Sequence, residues 1–383
     1  MSEWKEKKLG RIAEISKDSW KIGDGPAPYI GLEHIGEGSL SLVGLGHSEK
    51  VTSNKYRFKN DEFLFGKLRP YFRKVVRPKF DGICSTDIWV VKNRKGYDID
   101  FLFYLFATKE FVDLAYSGSS GTKMPRADWD FMKETEWLIP EEIVEQKAIA
   151  AVLSSLDDKI DLLHRQNETL EAMAQSIFRQ WFVEEAGDDW DESSLYDAIN
   201  LIGGGTPKTS EERYWDGSIP WLSGADVSGN HKGFVLSSAK RITEVGLNNS
   251  STKLLPQFST VISARGTVGK YCLLARPMAF SQTSYGVTPR FEGSHFFTYL
   301  LIDHSVNALL SAAYGSVFDT ITTRTFQNFV IHLPPEDEIL YFEQKVRPYF
   351  LRMKLNKDQI HTLEKLRDTL LPKLMSGKVR VRH

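Results

Sequence analysis

What this 383-residue chain lacks narrows its class before any motif is read. It has two cysteines, Cys84 and Cys272, too few for a disulfide framework or a four-ligand zinc site and in keeping with reduced thiols in a cytosolic protein. No run approaches the roughly 18 consecutive apolar residues of a membrane span, and the opening MSEWKEKKLG has charge where an export signal needs an apolar core. A cytoplasmic protein with no membrane partner is therefore expected. Nor does charge of one sign dominate: 49 Lys and Arg stand against 50 Asp and Glu, for a net charge of −1. Any affinity for nucleic acid has to come from local clustering of positive charge.

Catalytic motifs are missing as well. The one Pro-Pro, Pro334-Pro335, lies between Leu333 and Glu336 and does not make the Asn/Asp-Pro-Pro-aromatic motif of amino-methylating DNA methyltransferases. ARGTVGKY (264–271) approaches a phosphate-binding GxxxxGK[ST] loop, but Ala264 and Tyr271 stand where Gly and Ser/Thr are required. No histidine pair has metal-ligand spacing on a helix. Glu-Gln-Lys at 145–147 and 343–345 resembles half of a nuclease site, lacks the upstream acidic partner, and reads as structural at two helix starts. The expectation is a non-catalytic chain that holds no cofactor and no metal.

What is present is one plan used twice. YIGLEHI (29–35) is matched by WLSGADV (221–227), FLFGKLR (63–69) by VISARGT (261–267), and ICSTDIWVV (83–91) by AFSQTSYGV (279–287). An aromatic helical segment follows in each half, FLFYL (101–105) and FFTYL (296–300), then a small-residue loop, SGSSGTK (117–123) and AYGSVFDT (313–320). Each globular part closes on a strand ending in Pro, EWLIP (136–140) and VIHLP (330–334). Internal repetition of this kind points to tandem domains.

The helices repeat more strictly. Apolar residues step by four and three along Ile149, Leu153, Leu156, Ile160, Leu163, Leu170, Ala174, Ile177 and Trp181, with Asn167 filling the gap. The second series is Phe342, Val346, Tyr349, Met353, Asn356, Ile360, Leu363, Arg367, Leu370 and Leu374, displaced throughout by the interval from Ile149 to Phe342. Each is a heptad seam, and the bare apolar stripe of one helix is most simply covered by the other. Antiparallel pairing sets Asn167 against Asn356 and Ala174 against Tyr349, and less suitably Leu156 against Arg367; parallel pairing leaves both Asn opposite Leu163 or Ile360. A buried Asn without a partner is costly and a paired one fixes register, so the antiparallel coiled coil is expected. Pro348 and Pro372 suggest a bend and an end in the second helix, and Gly187 and Gly377 suit C-terminal stops.

Binding chemistry clusters in three places. From Lys67 to Phe80 there are six basic residues and no acid (Lys67, Arg69, Arg73, Lys74, Arg77, Lys79), interleaved with Tyr71 and Phe72; the matching stretch of the second half holds Arg265, Thr267, Lys270 and Arg276. Such a run is either a solvated face or a set of phosphate contacts, and its recurrence favours phosphate. The small-residue loop adds Lys123 and Arg126, against Gly315, Ser316, Thr322, Thr323 and Arg324; it is either an ordinary turn or a close approach of backbone to DNA. Ser85, Thr86 and Asp87 against Ser281, Gln282 and Thr283 form a third set, with Gln suited to adenine. The DNA-contact candidates are Lys67, Arg69, Arg73, Lys74, Lys123, Arg126, Arg265, Thr267, Lys270, Gln282, Thr283 and Arg324. The competing reading is a non-DNA scaffold whose coiled coil presents two binding domains.

LSSLDDKIDLLHRQNETLEAMAQSIFRQWFV (153–183) and IHTLEKLRDTLLPKLMSGKVRV (360–381) resemble the two helical conserved regions of type I restriction–modification specificity subunits. FGKLRPYFRKV (65–75), ISARGTVGK (262–270) and the Pro-ended strands are similar to their target recognition domains; the first half lacks the GGGTP start (203–207) of the second. The resemblance implies an α+β chain of two tandem mixed α/β recognition domains, 1–139 and 187–334, separated by helical regions at 140–186 and 335–383 that form a pseudo-twofold antiparallel coiled coil. It implies a double-stranded DNA target in two parts, two methyltransferase subunits, and restriction subunits joined through them. S-adenosylmethionine, ATP and Mg²⁺ would belong to those partners.

Overall fold

A computed structural model of the chain describes residues 3–121, 123–187, 190–314 and 320–381. It divides into two compact units, Met1–Asp161 with His361–His383, and Leu162–Ile360.

In the first unit, alternating and all-apolar runs make short strands, and three sheets result. One is antiparallel, in the order Ala13–Ser16, Ile88–Asn93, Phe63–Gly66, Val75–Val76. The next runs Ser19–Trp20, Lys55–Phe58, Gly82–Cys84, Pro28–Ile30, Gly46–His47, with Gly82–Cys84 parallel to Pro28–Ile30. The last is a ribbon of Trp4–Lys8 with Glu136–Pro140. Phe63 and Phe65 of the first sheet pack on the aromatic helix Ile99–Ala107, whose Asp98 carboxylate caps it by accepting from Phe101 N at 2.9 Å. Thr108 then ends that helix and caps the next, Lys109–Ser117.

The second unit repeats this order. Its antiparallel sheet is Ile199–Gly203, Ser284–Pro289, Thr260–Ser263, Tyr271–Leu274, with Phe234–Val235 added in parallel at the edge. Its other sheet is Lys240–Ile242, Trp215–Leu222, Met278–Phe280, Leu254–Leu255, and the central pair is again parallel. Asp191–Ser194 and Val330–Leu333 form the ribbon. Every pair of sequence markers that falls on a strand or helix falls on matching elements. The aromatic helix, His295–Tyr314, is unbroken here.

Two long helices complete the units, Ile143–Arg179 and Glu336–Met375. The first ends in a single wider turn, Gln180–Glu184, closed by Glu185 N donating to Gln180 O. The second does not stop at Pro372. Its last turn buries Leu371, Leu374 and Met375 in the first unit's core, and at about 1.5–3 kcal/mol per buried side chain these outweigh the roughly 3 kcal/mol cost of an interior proline. Gly377, at φ 69°, is the stop. The second Glu-Gln-Lys also lies two turns inside its helix, because helix formation begins at Glu336.

The seams are not bare stripes awaiting one another. Ile149, Leu153 and Leu374 belong to the core of the first unit, together with Phe101 and Phe111. Ala174, Phe342, Val346 and Met353 belong to that of the second, together with Phe296 and Tyr299. The globular parts supply much of the apolar cover that the sequence reading assigned to the partner helix.

Candidate nucleic-acid interface

Within the second unit, Asn356 Nδ2 donates to Asn167 Oδ1 at 2.9 Å, and Asn167 Nδ2 reaches Met353 O at 3.4 Å. Trp181 stacks on Tyr341 and meets Phe342 edge-on, so numbers rise along one helix as they fall along the other over this stretch. Within the first unit, Arg367 is 2% exposed and donates to Asp157 at 2.9 Å and to Ser39 O at 3.0 Å. The awkward seam arginine thus has a carboxylate one residue beyond Leu156, a partner that counting heptad positions alone had passed over.

The three sets of candidate residues converge in each unit through main-chain hydrogen bonds. In the first, Lys67 N donates to Asp87 O, Ala127 N to Lys67 O and Arg69 N to Pro125 O, at 2.7–2.9 Å. In the second, Ala264 N and Arg265 N donate to Thr283 O, and Ile321 N donates to Ala264 O. The strand end, the Ser-containing turn and the residues just after the small-residue loop therefore meet at the same topological place twice. Gly315 and Ser316 lie outside the described residues.

Side chains divide differently. In the first unit much of the basic run is engaged by its own chain. Arg73 donates to Gly38 O at 2.5 Å and to Asp368 at 3.3 Å; Lys74 donates to Leu32 O at 2.8 Å. Arg77 pairs with Asp100, and Lys79 with Asp158 at 2.8 Å. Arg126 holds Asp87 at 3.0 Å, and that hydrogen bond raises its pKa. Lys123 is exposed, Lys67 and Arg69 are half-buried, and the buried Arg69 Nε has no partner among the described residues.

In the second unit, residues 264–270 join two strands as a hairpin tip, turned by Gly266 and Gly269 at φ 79° and 78°. Arg265 and Thr267 are exposed there, and Lys270 is half-exposed. Gln282 and Arg324 are exposed, while Thr283 shares a hydrogen bond with Ser281 at 2.7 Å. Among the described residues, Arg265, Lys270 and Arg324 make no ion pair, which leaves their charge available to an anion.

Buried polar groups tie the start of the aromatic helix to a long helix in each unit. Gln146 accepts from Asp98 N at 2.9 Å in the first unit. In the second, Glu343 accepts from Phe296 N and Phe297 N, both at 2.9 Å, and burial pushes its carboxyl up to about 7. Burial likewise pushes Glu171 up to about 7, beside Tyr299 and Asp303. Gln146 and Glu343 both lie in the repeated Glu-Gln-Lys, as its second residue in one copy and its first in the other. Burial also pushes the Cys272 thiol up to about 12, as befits an inert core residue. Among the described residues no cluster of His, Cys, Asp or Glu could hold a metal, and no helix is long and apolar enough to cross a membrane.

Comparison with known proteins gives a consistent picture. The family model for the type I restriction modification DNA specificity domain matches residues 1–172 and again 187–367. A type I restriction enzyme specificity subunit (HindI) of Haemophilus influenzae is 24% identical over 99% of this chain and 100% of its own length. The MjaIX specificity subunit of Methanocaldococcus jannaschii is 27% identical over 75% of this chain and 71% of that protein. The crystal structure of a type I restriction-modification S subunit from M. genitalium superposes with a TM-score of 0.60 at 16% identity, over 97% of this chain and 96% of that one.

Proposed function

This chain belongs to the type I restriction modification DNA specificity family, and we propose that its two recognition domains read the two halves of a split DNA target. It is a specificity subunit and not itself an enzyme. Residues 1–139 and 187–334 are the recognition domains; 140–186 and 335–383 are the helical regions, paired antiparallel as a coiled coil about a pseudo-twofold axis. Asn167 and Asn356 set the register of that pair, which in turn sets the distance between half-sites, as module spacing does in other two-part readers.

The observation that carries this reading is the doubled convergence of strand end, turn and loop, which presents basic and hydrogen-bonding side chains at one topological position in each unit. Arg265, Thr267, Lys270, Gln282, Thr283 and Arg324 contact one half-site; Lys67, Arg69, Lys123 and Arg126 contact the other. Arg73 and Lys74 shape the second of these surfaces by holding their own loops in place. Two methyltransferase subunits dock on the helical regions, and restriction subunits join through them in the cytoplasm. S-adenosylmethionine, ATP and Mg²⁺ reside on those partners, and this chain selects the address.

Duplex binding with the methyltransferase present tests the reading. Affinity should fall by orders of magnitude between about 50 and 200 mM salt, since each neutralised phosphate adds roughly one unit to the log–log slope. Failure to bind any duplex would sink it and leave the protein-binding scaffold. Mapping of methylated adenines in host DNA, with and without this gene, should reveal a bipartite site.

A further inference from the structure

The first unit exposes a ring pair that neither phosphate binding nor packing uses. Tyr71 is 48% exposed and Tyr116 50%, and their rings meet perpendicularly at 5.5 Å. Tyr71 sits in the one-turn helix Pro70–Phe72, between Arg69 and Arg73 at φ 51° and 48°. Left-handed backbone at two non-glycine residues costs about 1–3 kcal/mol each and persists only where surroundings enforce it. Here Arg69 N donates to Pro125 O at 2.7 Å, and the Arg73 guanidinium is held by Gly38 O and Asp368. The fold thus holds a strained turn in place, and that turn pushes an aromatic ring outward.

The pair belongs to the reading surface. Ser119 N donates to Tyr116 O, Ser120 exchanges two hydrogen bonds with Arg126, and Arg126 grips Asp87 at the convergence described above. Exposed Lys123 and half-buried Lys67 supply positive charge on the same segments. The corresponding turn of the second unit, Arg265 to Lys270, carries no aromatic residue.

Resting on the DNA-reading function, we infer that the Tyr71–Tyr116 pair is a specificity element that contacts the C5-methyl group of a thymine in the half-site read by the first unit. A ring that slides between base pairs needs both faces free. Tyr71 has Phe72 tilted against it at 4.7 Å as well as Tyr116 at 5.5 Å, so it offers an apolar edge instead of an intercalating plate. Among the base edges of the major groove only thymine presents a methyl, and apolar side chains select it by contact. Rigidity matters, because a mobile ring would lose in entropy what it gained from so small a contact.

The test uses the full chain with its methyltransferase and a duplex carrying its own methylation site, with thymines replaced singly by uracil, which lacks only that methyl. For the wild type, one replacement in one half-site should weaken binding about fourfold, the worth of one buried methyl group. Tyr71→Ala should bind thymine and uracil duplexes equally at that position and keep wild-type discrimination in the other half-site; Tyr71→Phe should retain the thymine preference. If no replacement weakens the wild type, or if Tyr71→Ala remains as sensitive as the wild type, the methyl contact is refuted while duplex reading stands. If the wild type binds no duplex at all, the underlying function fails and takes the methyl contact with it.

Discussion

The two units share their topology but fasten their globular parts to the long helices by contrasting means. In the first, the joint is charged. Buried Arg367 binds Asp157 and Ser39 O, Asp157 also accepts from the Tyr104 hydroxyl at 2.7 Å, and Arg73 reaches Asp368 next along the helix. In the second, the seam position matching Arg367 is Ala174, fully buried beside Phe178, and Phe350 stacks on Phe296 at 4.4 Å. The aromatic joint rests on shape and area beside the Glu343 carboxylate that accepts from Phe296 N and Phe297 N, whereas the charged joint needs each partner present, because a buried charge left alone is expensive. In the second unit the tip residues Arg265 and Lys270 make no ion pair among the described residues, while Lys232 pairs with Asp303 at 3.4 Å. The first spends most of its basic run on its own loops.

The largest expected effect breaks the charged joint. Arg367→Ala should destabilise the chain by about 3–5 kcal/mol, and the double change Arg367→Leu with Asp157→Leu should recover most of that loss in urea unfolding. If the single change costs under about 1 kcal/mol, the contrast between the joints is only one of appearance. Next comes the helix pair inside the second unit. Asn167→Leu should lose about 1–3 kcal/mol by leaving buried Asn356 only the longer contact to Gln166 Oε1 at 3.4 Å; a stabilised single variant would contradict the register role.

A smaller effect separates tips from supports. Arg265→Ala should weaken duplex binding about tenfold and lower the salt slope by about one, whereas Arg73→Ala should lower the melting temperature and leave that slope unchanged. An altered slope for Arg73→Ala would return it to the phosphate contacts. The smallest prediction concerns pH. The raised pKa of Glu343 means that the unfolded chain releases its proton near pH 4.5 and the folded chain only near 7. This group therefore favours folding fully below about pH 4.5, and that contribution is lost as pH rises towards 7. Glu343→Gln, which imitates Gln146 of the first unit, should remove up to one proton from the slope of stability against pH in this window. An unchanged slope would show that Glu343 ionises normally.

The doubled order of elements was legible because strand endings and helix steps leave marks in short residue patterns. The heptad steps singled out Asn167 and Asn356, which share a hydrogen bond at 2.9 Å, without knowledge of any sheet. What could not be read was the share of each seam claimed by a globular core, since Ala174 looks the same whether Tyr349 or Phe178 covers it. The basic run shows the same limit. Six positive charges in sequence carry no record of Asp100, Asp158 or Asp368, each distant along the chain and near in space. Pro372 was read as a helix end because local preference is visible, whereas the burial of Leu371 and Leu374 that overrides it is not.

The main-chain bonds at each convergence carry a consequence for how such a protein changes over generations. Lys67 N to Asp87 O and Ala264 N to Thr283 O are bonds that any residue except proline can donate and every residue can accept. Half-buried Lys67 can therefore change without loss of its bond, whereas Ala264, buried in the core, and Asp87, held by Arg126, keep a folding role of their own. On the proposed function, substitutions at the exposed Lys123, Arg265 or Gln282 would alter what is read while these bonds stay whole, and new specificities could be sampled one residue at a time without passing through an unfolded ancestor.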